Sequence, residues 1–307
     1  MRDRFVFRDG TGAHGELPPN NWPSVFGGAA WQRVVEPDGK PGQWYLHLFD
    51  SSQPDLDWQN QQVREEFHAI IRFWLDRGVD GLRVDVAHGL VKAEGLPDYD
   101  HRERMLAENN SSASPYWDQD GVHEIYRGWR EVLDSYAGDD RIMVAEAWVT
   151  PSERAVLYVR GDEFHQAFNF DFLETPWDAA RLRAAIADSL RANDSVGAPA
   201  TWVLSNHDVT RHTTRLGNPP GSGTQMVTPG DPVLGLRRAR AATLLMLGLP
   251  GSAYIYQGEE LGLPDVTDLP DEVRADPSFH RAAGQEGFRD GCRVPIPWSG
   301  TSQPYGF

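Results

Sequence analysis

The chain is poor in cysteine, in basic residues and in long hydrophobic runs. Cys292 is the only cysteine among the 307 residues, which excludes an intramolecular disulfide framework and suits a reducing cytosol. The opening MRDRFVFRDG is charged and has no apolar core of the kind that signal peptides carry. The most apolar stretch, AATLLMLGLPGSAYIY, is interrupted by Gly and Pro. We therefore expect a cytoplasmic protein without a membrane partner.

The deficit of basic residues narrows the choice of partner further. Lys and Arg number 29 against 45 Asp and Glu, which gives a formal net charge of −16. Because phosphate binding needs clustered Lys and Arg, this balance argues against nucleic acid and anionic membranes and fits an enzyme with a neutral substrate. The eleven Trp residues could supply faces on which sugars stack, although packing is the simpler role for most of them.

Several catalytic motifs are also missing. The chain has no G-x-S-x-G nucleophile elbow, no H-E-x-x-H and no cysteine cluster. No G-x-G-x-x-G or G-x-x-x-x-G-K-[ST] element follows a predicted strand. We therefore assign no cofactor and no metal.

What the chain does have is three apolar, strand-like segments that each run into a carboxylate. They are GLRVDVAHG around Asp85, IMVAEAW around Glu146, and TWVLSNHD ending at Asp208. In a parallel βα barrel the carboxyl ends of the strands are where catalytic groups converge. For one segment alone an N-cap or loop carboxylate is the simpler interpretation. Three acids in this context favour cleavage of glycosidic bonds.

Strand-like and helix-like segments alternate from residue 57 onward, which predicts βαβ units and a parallel sheet. The predicted helices are DWQNQQVREEFHAIIRFWLDRG, HEIYRGWREVLDSYAG, TPWDAARLRAAIADSLRAN and GLRRARAATLLMLG. The predicted strands are GVDGLRVDV, RIMVAEA, FHQAFNFDF, TWVLSN and SAYIYQG. The opening stretch, to about Trp31, is rich in Gly, Pro and Asn and is expected to be irregular.

The three acidic segments resemble signatures of the alpha-amylase superfamily (glycoside hydrolase family 13), in its alpha-glucosidase and oligo-1,6-glucosidase branch. Similar flanking segments are FRDGTGAHGELPPNNWPSVFGGAAW, YLHLFDSSQPDLDW, HQAFNFDFL, YIYQGEELG and GFRDGCRVPIPW. The resemblance implies an α/β fold, the (β/α)8 barrel, with an excursion domain inserted after strand three.

By the same resemblance the chain is incomplete. Residues 1–56 resemble the end of the excursion domain, and residues 57–307 resemble the second half of the barrel, about strands four to eight. The family's first signature, an Asp followed closely by Asn-His, has no counterpart here. Strands one to three, the last barrel helix and the C-terminal domain are expected to be absent, so that a complete pocket would need the missing N-terminal half. Family members often carry calcium in that missing region.

The resemblance also assigns roles to the acids: Asp85 is the nucleophile, Glu146 the acid/base, and Asp208 the transition-state stabiliser. Arg83 lies two residues before Asp85, so on a strand both side chains point to one face and the cation keeps the carboxylate ionised. The apolar neighbours of Glu146 predict a raised pKa.

Four further residues are predicted to contact the substrate. Arg83 and His207 lie beside the acids, Arg211 is expected to line the same pocket, and His88 follows the nucleophile segment. For His88, the alternative of a histidine that caps a helix has equal standing.

The sequence thus predicts a retaining alpha-glucosidase that acts on short alpha-linked gluco-oligosaccharides. Two alternatives stay open: a non-catalytic truncated remnant, and a transglycosylase of the trehalose or isomaltulose synthase type. Val86 is a residue type associated with 1,6-preference, whereas the V-A-H-G context also resembles 1,4-acting relatives, so that linkage preference is undecided.

Overall fold

A computed structural model describes residues 2–100, 114–138, 140–224, 228–284 and 287–306. The chain folds into two compact units. The first comprises Met1–Phe168 and Ala192–Ala198, and the second comprises Asn169–Arg191 and Pro199–Phe307. The predicted boundary after residue 56 stays a prediction, whereas the compact units divide after residue 168.

A small antiparallel sheet forms the front of the first unit. Its strands, in the order β1-β3-β2, are β1 (Phe7–Arg8), β2 (Trp31–Val35) and β3 (Pro41–Leu46). The turn between β2 and β3 needs Gly39, whose φ of 82° lies in the left-handed region that glycine tolerates best. Up to residue 30 the chain is largely irregular, as expected, but the β2–β3 hairpin was not predicted.

The rest of the first unit alternates helices with parallel strands. In chain order these elements are α1 (Gln61–Leu75), β4 (Gly81–Val84), α2 (Val122–Asp134), β5 (Ile142–Ala145), α3 (Ser152–Ala155) and β6 (Gln166–Ala167). The strands form one parallel sheet in the order β4-β5-β6. A short 3₁₀ turn, Ala87–Gly89, begins after the two residues that follow β4, Asp85 and Val86.

Helices α1 and α2 cover this sheet with one apolar face each. Helix α1 begins after Asn60, whose side chain accepts a hydrogen bond from the Gln62 N–H, and it buries Val63, Ile71 and Leu75. Helix α2 buries a broader face that includes Tyr126. Their packing produces one core cluster with Met143 and Ala145 of β5 and so fixes where the strand ends lie.

The second unit has the same type of construction. In chain order it contains α4 (Phe170–Glu174), most of α5 (Ala179–Val196), β7 (Thr201–Val203), α6 (His212–Arg215), α7 (Pro232–Gly248), β8 (Ser252–Tyr254) and α8 (Pro277–Arg281). Strands β7 and β8 pair in parallel. The predicted alternation of helices with parallel strands is therefore present in both units.

One predicted strand is much shorter than expected. In FHQAFNFDF, only Gln166–Ala167 is strand, and Phe170–Glu174 is helical. The reason is local, because the Asn169 side chain accepts a hydrogen bond from the Phe172 N–H and starts the helix. Among the helices in the described part of the chain, none is long and apolar enough to cross a membrane.

Candidate active site

Strands β4 and β5 place two of the predicted acids side by side. Their register pairs Val84 with Ala145, so that Asp85 and Glu146 follow at the next position on neighbouring strands. The pairing continues past the strands, because the Glu146 N–H donates to the Val84 carbonyl at 2.9 Å. The Ala87 N–H in turn donates to the Glu146 carbonyl at 2.8 Å. Both acids therefore lie at the carboxyl end of one parallel sheet.

One guanidinium lies between the two carboxyl groups. Arg83 Nη1 is 2.6 Å from Asp85 Oδ1, and Arg83 Nη2 is 4.0 Å from Glu146 Oε2. The two acids differ sharply in exposure, since the Asp85 side chain is 68% exposed and that of Glu146 only 6%. An exposed, ion-paired carboxylate thus stands beside a buried carboxyl.

The buried carboxyl of Glu146 receives a hydrogen bond on each oxygen. The Val86 backbone N–H donates to Oε2 at 2.7 Å, and the Trp148 indole N–H donates to Oε1. Burial raises the pKa of Glu146 to about 7, and the nearby charge of Asp85 adds to that rise. The Val86 N–H, Arg83 and the Trp148 indole favour the charged form of Glu146 and therefore limit the rise of its pKa. A carboxyl poised near neutral pH can both donate and accept a proton.

The amide that reaches Glu146 comes from a strained residue. Val86 has a φ of 47° and a ψ of 44°, the left-handed conformation that β-branched residues rarely adopt. Such a residue costs on the order of 1 to 2 kcal/mol relative to an ordinary conformation. In this conformation the Val86 N–H points toward the carboxyl group of Glu146.

His88 lies next to this pair but faces the interior. Its side chain is fully buried, its ring centroid is 4.9 Å from that of Trp117, and neither ring nitrogen has a hydrogen-bond partner among the described residues. Burial, together with the positive charge of Lys92, lowers the pKa of His88 to about 3 and keeps the ring neutral. The described contacts of His88 are packing contacts, and its contact with substrate stays a prediction.

The third acid lies in the second unit and is held by two arginines. Asp208 Oδ1 is 2.9 Å from Arg289 Nη1 and 2.8 Å from Arg293 Nη2. The ring of His207 approaches the other oxygen, with Nε2 3.2 Å from Oδ2. Arg289 also binds both oxygens of Asp276, which is fully buried.

Sequence reasoning missed Arg289 and Arg293 as partners of Asp208. Both lie in the GFRDGCRVPIPW segment, which carries part of the family resemblance. The repeated arginine in an otherwise apolar and Gly-rich segment was the available signal. The distance along the chain hid it, because more than 80 residues separate each arginine from Asp208.

Arg211, which was predicted to line the same pocket, is buried within the second unit. It is 1% exposed, and its guanidinium donates to the carbonyls of Gln257 at 2.8 Å and Cys292 at 2.9 Å. The guanidinium carbon also lies 4.7 Å from the ring centroid of Tyr256. These contacts tie three segments of the second unit together, and a contact of Arg211 with substrate stays a prediction.

The described residues contain no group of three or more His, Cys, Asp or Glu side chains that could hold a metal ion. Both units contain parallel strands alternating with helices, and in each unit an acidic residue follows a parallel strand. This combination is typical of the parallel α/β barrel class, with chemistry at the carboxyl ends of the strands.

Comparison with known proteins gives the family. The model of the alpha amylase catalytic domain matches residues 1–307, and the chain therefore belongs to that family. It is 32% identical over 330 residues to the oligo-1,6-glucosidase of Parageobacillus thermoglucosidasius, covering 97% of this chain and 54% of the relative. It is 35% identical over 303 residues to a probable alpha-glucosidase of Rhizobium meliloti, covering 92% of this chain and 50% of the relative.

The crystal structure of an alpha-glucosyl transfer enzyme matches with a TM-score of 0.78 at 31% identity, covering 97% of this chain and 53% of that one. The predicted barrel-type glycosidase fold and family are thereby confirmed. The chain spans about half the length of the curated relatives it matches.

Proposed function

We propose that this chain carries the acids of a retaining alpha-glucosidase. The observation that supports it most strongly is the pair after β4 and β5. Asp85 is exposed and ion-paired to Arg83, whereas Glu146 is buried and has a pKa raised to about 7. Two carboxyl groups with such different surroundings suit a nucleophile and a general acid/base.

The proposed reaction is a double displacement. Asp85 attacks the anomeric carbon while Glu146 gives its proton to the departing glycosidic oxygen, and a glucosyl ester forms on Asp85. Glu146, now a carboxylate, takes a proton from water as the water attacks the same carbon. The ester breaks, and the sugar leaves with its original configuration.

Asp208 is proposed to bind sugar hydroxyls and to stabilise the positive charge that develops on the ring in the transition state. Its ion pairs with Arg289 and Arg293 hold its carboxylate in one orientation. His207, which approaches its second oxygen, is proposed to share the same sugar contacts.

The proposed substrates are short alpha-linked gluco-oligosaccharides. Neutral sugars suit a chain with a net charge of −16, and the relatives include an oligo-1,6-glucosidase and a probable alpha-glucosidase. Because those relatives are about twice as long, we propose that the complete pocket also needs barrel strands of the kind that they carry.

A transglycosylase is the second candidate, because the alpha-glucosyl transfer enzyme is among the similar structures. It would use the same acids and pass the glucosyl group to a sugar instead of water. Products formed at high disaccharide concentration separate the two: glucose alone favours hydrolysis, and new disaccharides favour transfer. The remaining alternative, a remnant without activity, predicts neither product.

The test of the proposed function is covalent trapping. The chain, alone and completed with the N-terminal part of the oligo-1,6-glucosidase relative, is treated with a mechanism-based fluoroglucoside and mapped by mass spectrometry. In the completed protein we expect a glucosyl ester on Asp85, which Asp85→Asn prevents while lowering turnover by about a thousandfold or more. The control Asp80→Asn, at the other end of β4, should label normally. A label on another residue in an active preparation would overturn the assignment.

A further inference from the structure

The Glu146 carboxyl accepts hydrogen bonds from two N–H donors that lie in the segments after two different strands. The indole of Trp148 comes from the segment after β5 and binds Oε1, and the Val86 amide comes from the segment after β4 and binds Oε2. Trp148 is 5% exposed, and Glu146 is 5% exposed. Each carboxyl oxygen thus has one donor in a site that water barely reaches.

We propose that Trp148 is a positioning residue that, with the Val86 amide, stabilises the carboxylate that Glu146 becomes when it releases its proton. The catalytic part of this inference rests on the proposed function, whereas its effect on the titration of Glu146 does not. A hydrogen bond to a charged acceptor in a buried site is stronger than one to a neutral acceptor. The two donors therefore favour release of the proton over its retention.

The donors act at a defined moment of the reaction. The O–H bond of Glu146 breaks and its proton moves to the glycosidic oxygen, which keeps the electron pair of the bond to the anomeric carbon. Asp85 forms its new bond to that carbon at the same time. As negative charge develops on Glu146, both N–H contacts strengthen, so they stabilise the transition state more than the ground state.

Other charged and titratable groups also face Glu146, and the test must leave them in place. Asp85 and Arg83 lie on β4 and the segment after it, and both act on the titration of Glu146. From α2, Tyr126 lies near enough for Glu146 to contribute to the rise of its pKa. Trp148→Phe removes the indole N–H, keeps a smaller aromatic ring and leaves the charged and titratable groups themselves unchanged.

Trp129 offers a matched control. It is also 5% exposed, but its indole N–H has no hydrogen-bond partner among the described residues. Trp129→Phe thus removes an N–H with equal burial and without a contact to Glu146. The titration of Glu146 is followed by NMR in protein carrying ¹³C-labelled glutamate carboxyls, with Glu146→Gln assigning the resonance.

We expect Trp148→Phe to move the midpoint of Glu146 upward by about one pH unit or more, since a hydrogen bond to a charged group contributes that much. Trp129→Phe should leave it unchanged. Equal midpoints in Trp148→Phe and the wild-type chain would overturn the proposal, whatever the activity.

A second readout needs no variant that might fail to fold. In the wild-type chain the Trp148 indole proton should shift downfield with the same midpoint as the Glu146 carboxyl, while the Trp129 indole proton stays constant. A Trp148 indole that does not respond to this titration would also overturn the proposal.

Activity then tests the catalytic part separately. In a preparation that hydrolyses alpha-glucosides, Trp148→Phe should move the alkaline limb of kcat/KM to higher pH. It should also lower kcat roughly tenfold on a disaccharide and less on a nitrophenyl glucoside, which needs little protonation. If the midpoint shifts but the protein completed with the relative's N-terminal part never turns over a glucoside, the proposed function fails and the inference about Glu146 stands.

Discussion

At the residue scale, Glu146 shows what a buried carboxyl group costs the fold. Its folded-state pKa of about 7 lies above the usual value of 4.5, so between these two values the folded chain binds more protons than the unfolded chain. The favourable contribution of the neutral carboxyl is therefore complete below about pH 4.5 and is lost as pH rises through about 7. The proposed function and the stability of the fold therefore make opposite demands on this residue.

This opposition predicts the behaviour of Glu146→Gln. Because Gln stays neutral, the variant should gain stability relative to the wild-type chain as pH rises from 4.5 to 8, by up to about 3 kcal/mol. Urea unfolding at several pH values measures the difference. Glu153→Gln, which removes an exposed carboxylate, should show a nearly constant difference over the same range. A pH-independent effect of Glu146→Gln would mean that burial does not raise its pKa.

At the element scale, the β2–β3 hairpin depends on its turn. The Gly39 N–H donates to the Glu36 carbonyl at 2.8 Å, and the Glu36 N–H donates to the Lys40 carbonyl at 2.8 Å. An Asp-Gly pair between two segments with aromatic and β-branched residues is a hairpin signal. The Gly- and Pro-rich flanks obscured it, so that no strand was predicted between Trp31 and residue 56.

The turn predicts that substitution by alanine changes the stability differently at Gly39 and at Gly161. Nothing lies within 4 Å of a Cβ at Gly39 or at Gly161, but only Gly39 has a positive φ. Gly39→Ala should destabilise the chain by about 1 kcal/mol because alanine resists that conformation. Gly161→Ala should be neutral or slightly stabilising. Urea midpoints compare the two, and equal effects would show that the turn does not constrain the hairpin.

At the scale of the whole molecule, several large apolar side chains lie on the surface of α7. Exposed fractions reach 78% for Val233, 75% for Leu244 and 59% for Leu247. A helix that is apolar around most of its circumference is normally buried, and exposed apolar rows promote association. A net charge of −16 opposes association but does not cover these side chains.

We therefore predict that residues 1–307 expressed alone are poorly soluble or oligomeric, with negligible glucosidase activity. Light scattering measures the size, and an aryl alpha-glucoside measures the activity. Leu244→Lys with Leu247→Lys should increase the monomer fraction. Leu17→Lys with Val35→Lys changes two exposed residues outside α7 and should have less effect. A monomeric wild-type chain with high turnover would show that the chain needs no further strands.

The sequence by itself determined the family, the alternation of helices with parallel strands and the three acids after strands. These properties follow from local patterns, since hydrophobic periodicity and short motifs are carried by neighbouring residues. The same patterns predicted a strand where Phe170–Glu174 is helical, because the capping side chain of Asn169 outweighs the strand-like composition.

Only the tertiary structure decided what surrounds each acid. The burial of Glu146, the strained Val86 amide that reaches it, and the arginines that hold Asp208 all depend on residues that are distant in sequence. Burial and hydrogen bonding set a pKa through the atoms packed around a group. Those neighbours are known only once the strands are paired and their ends are brought together.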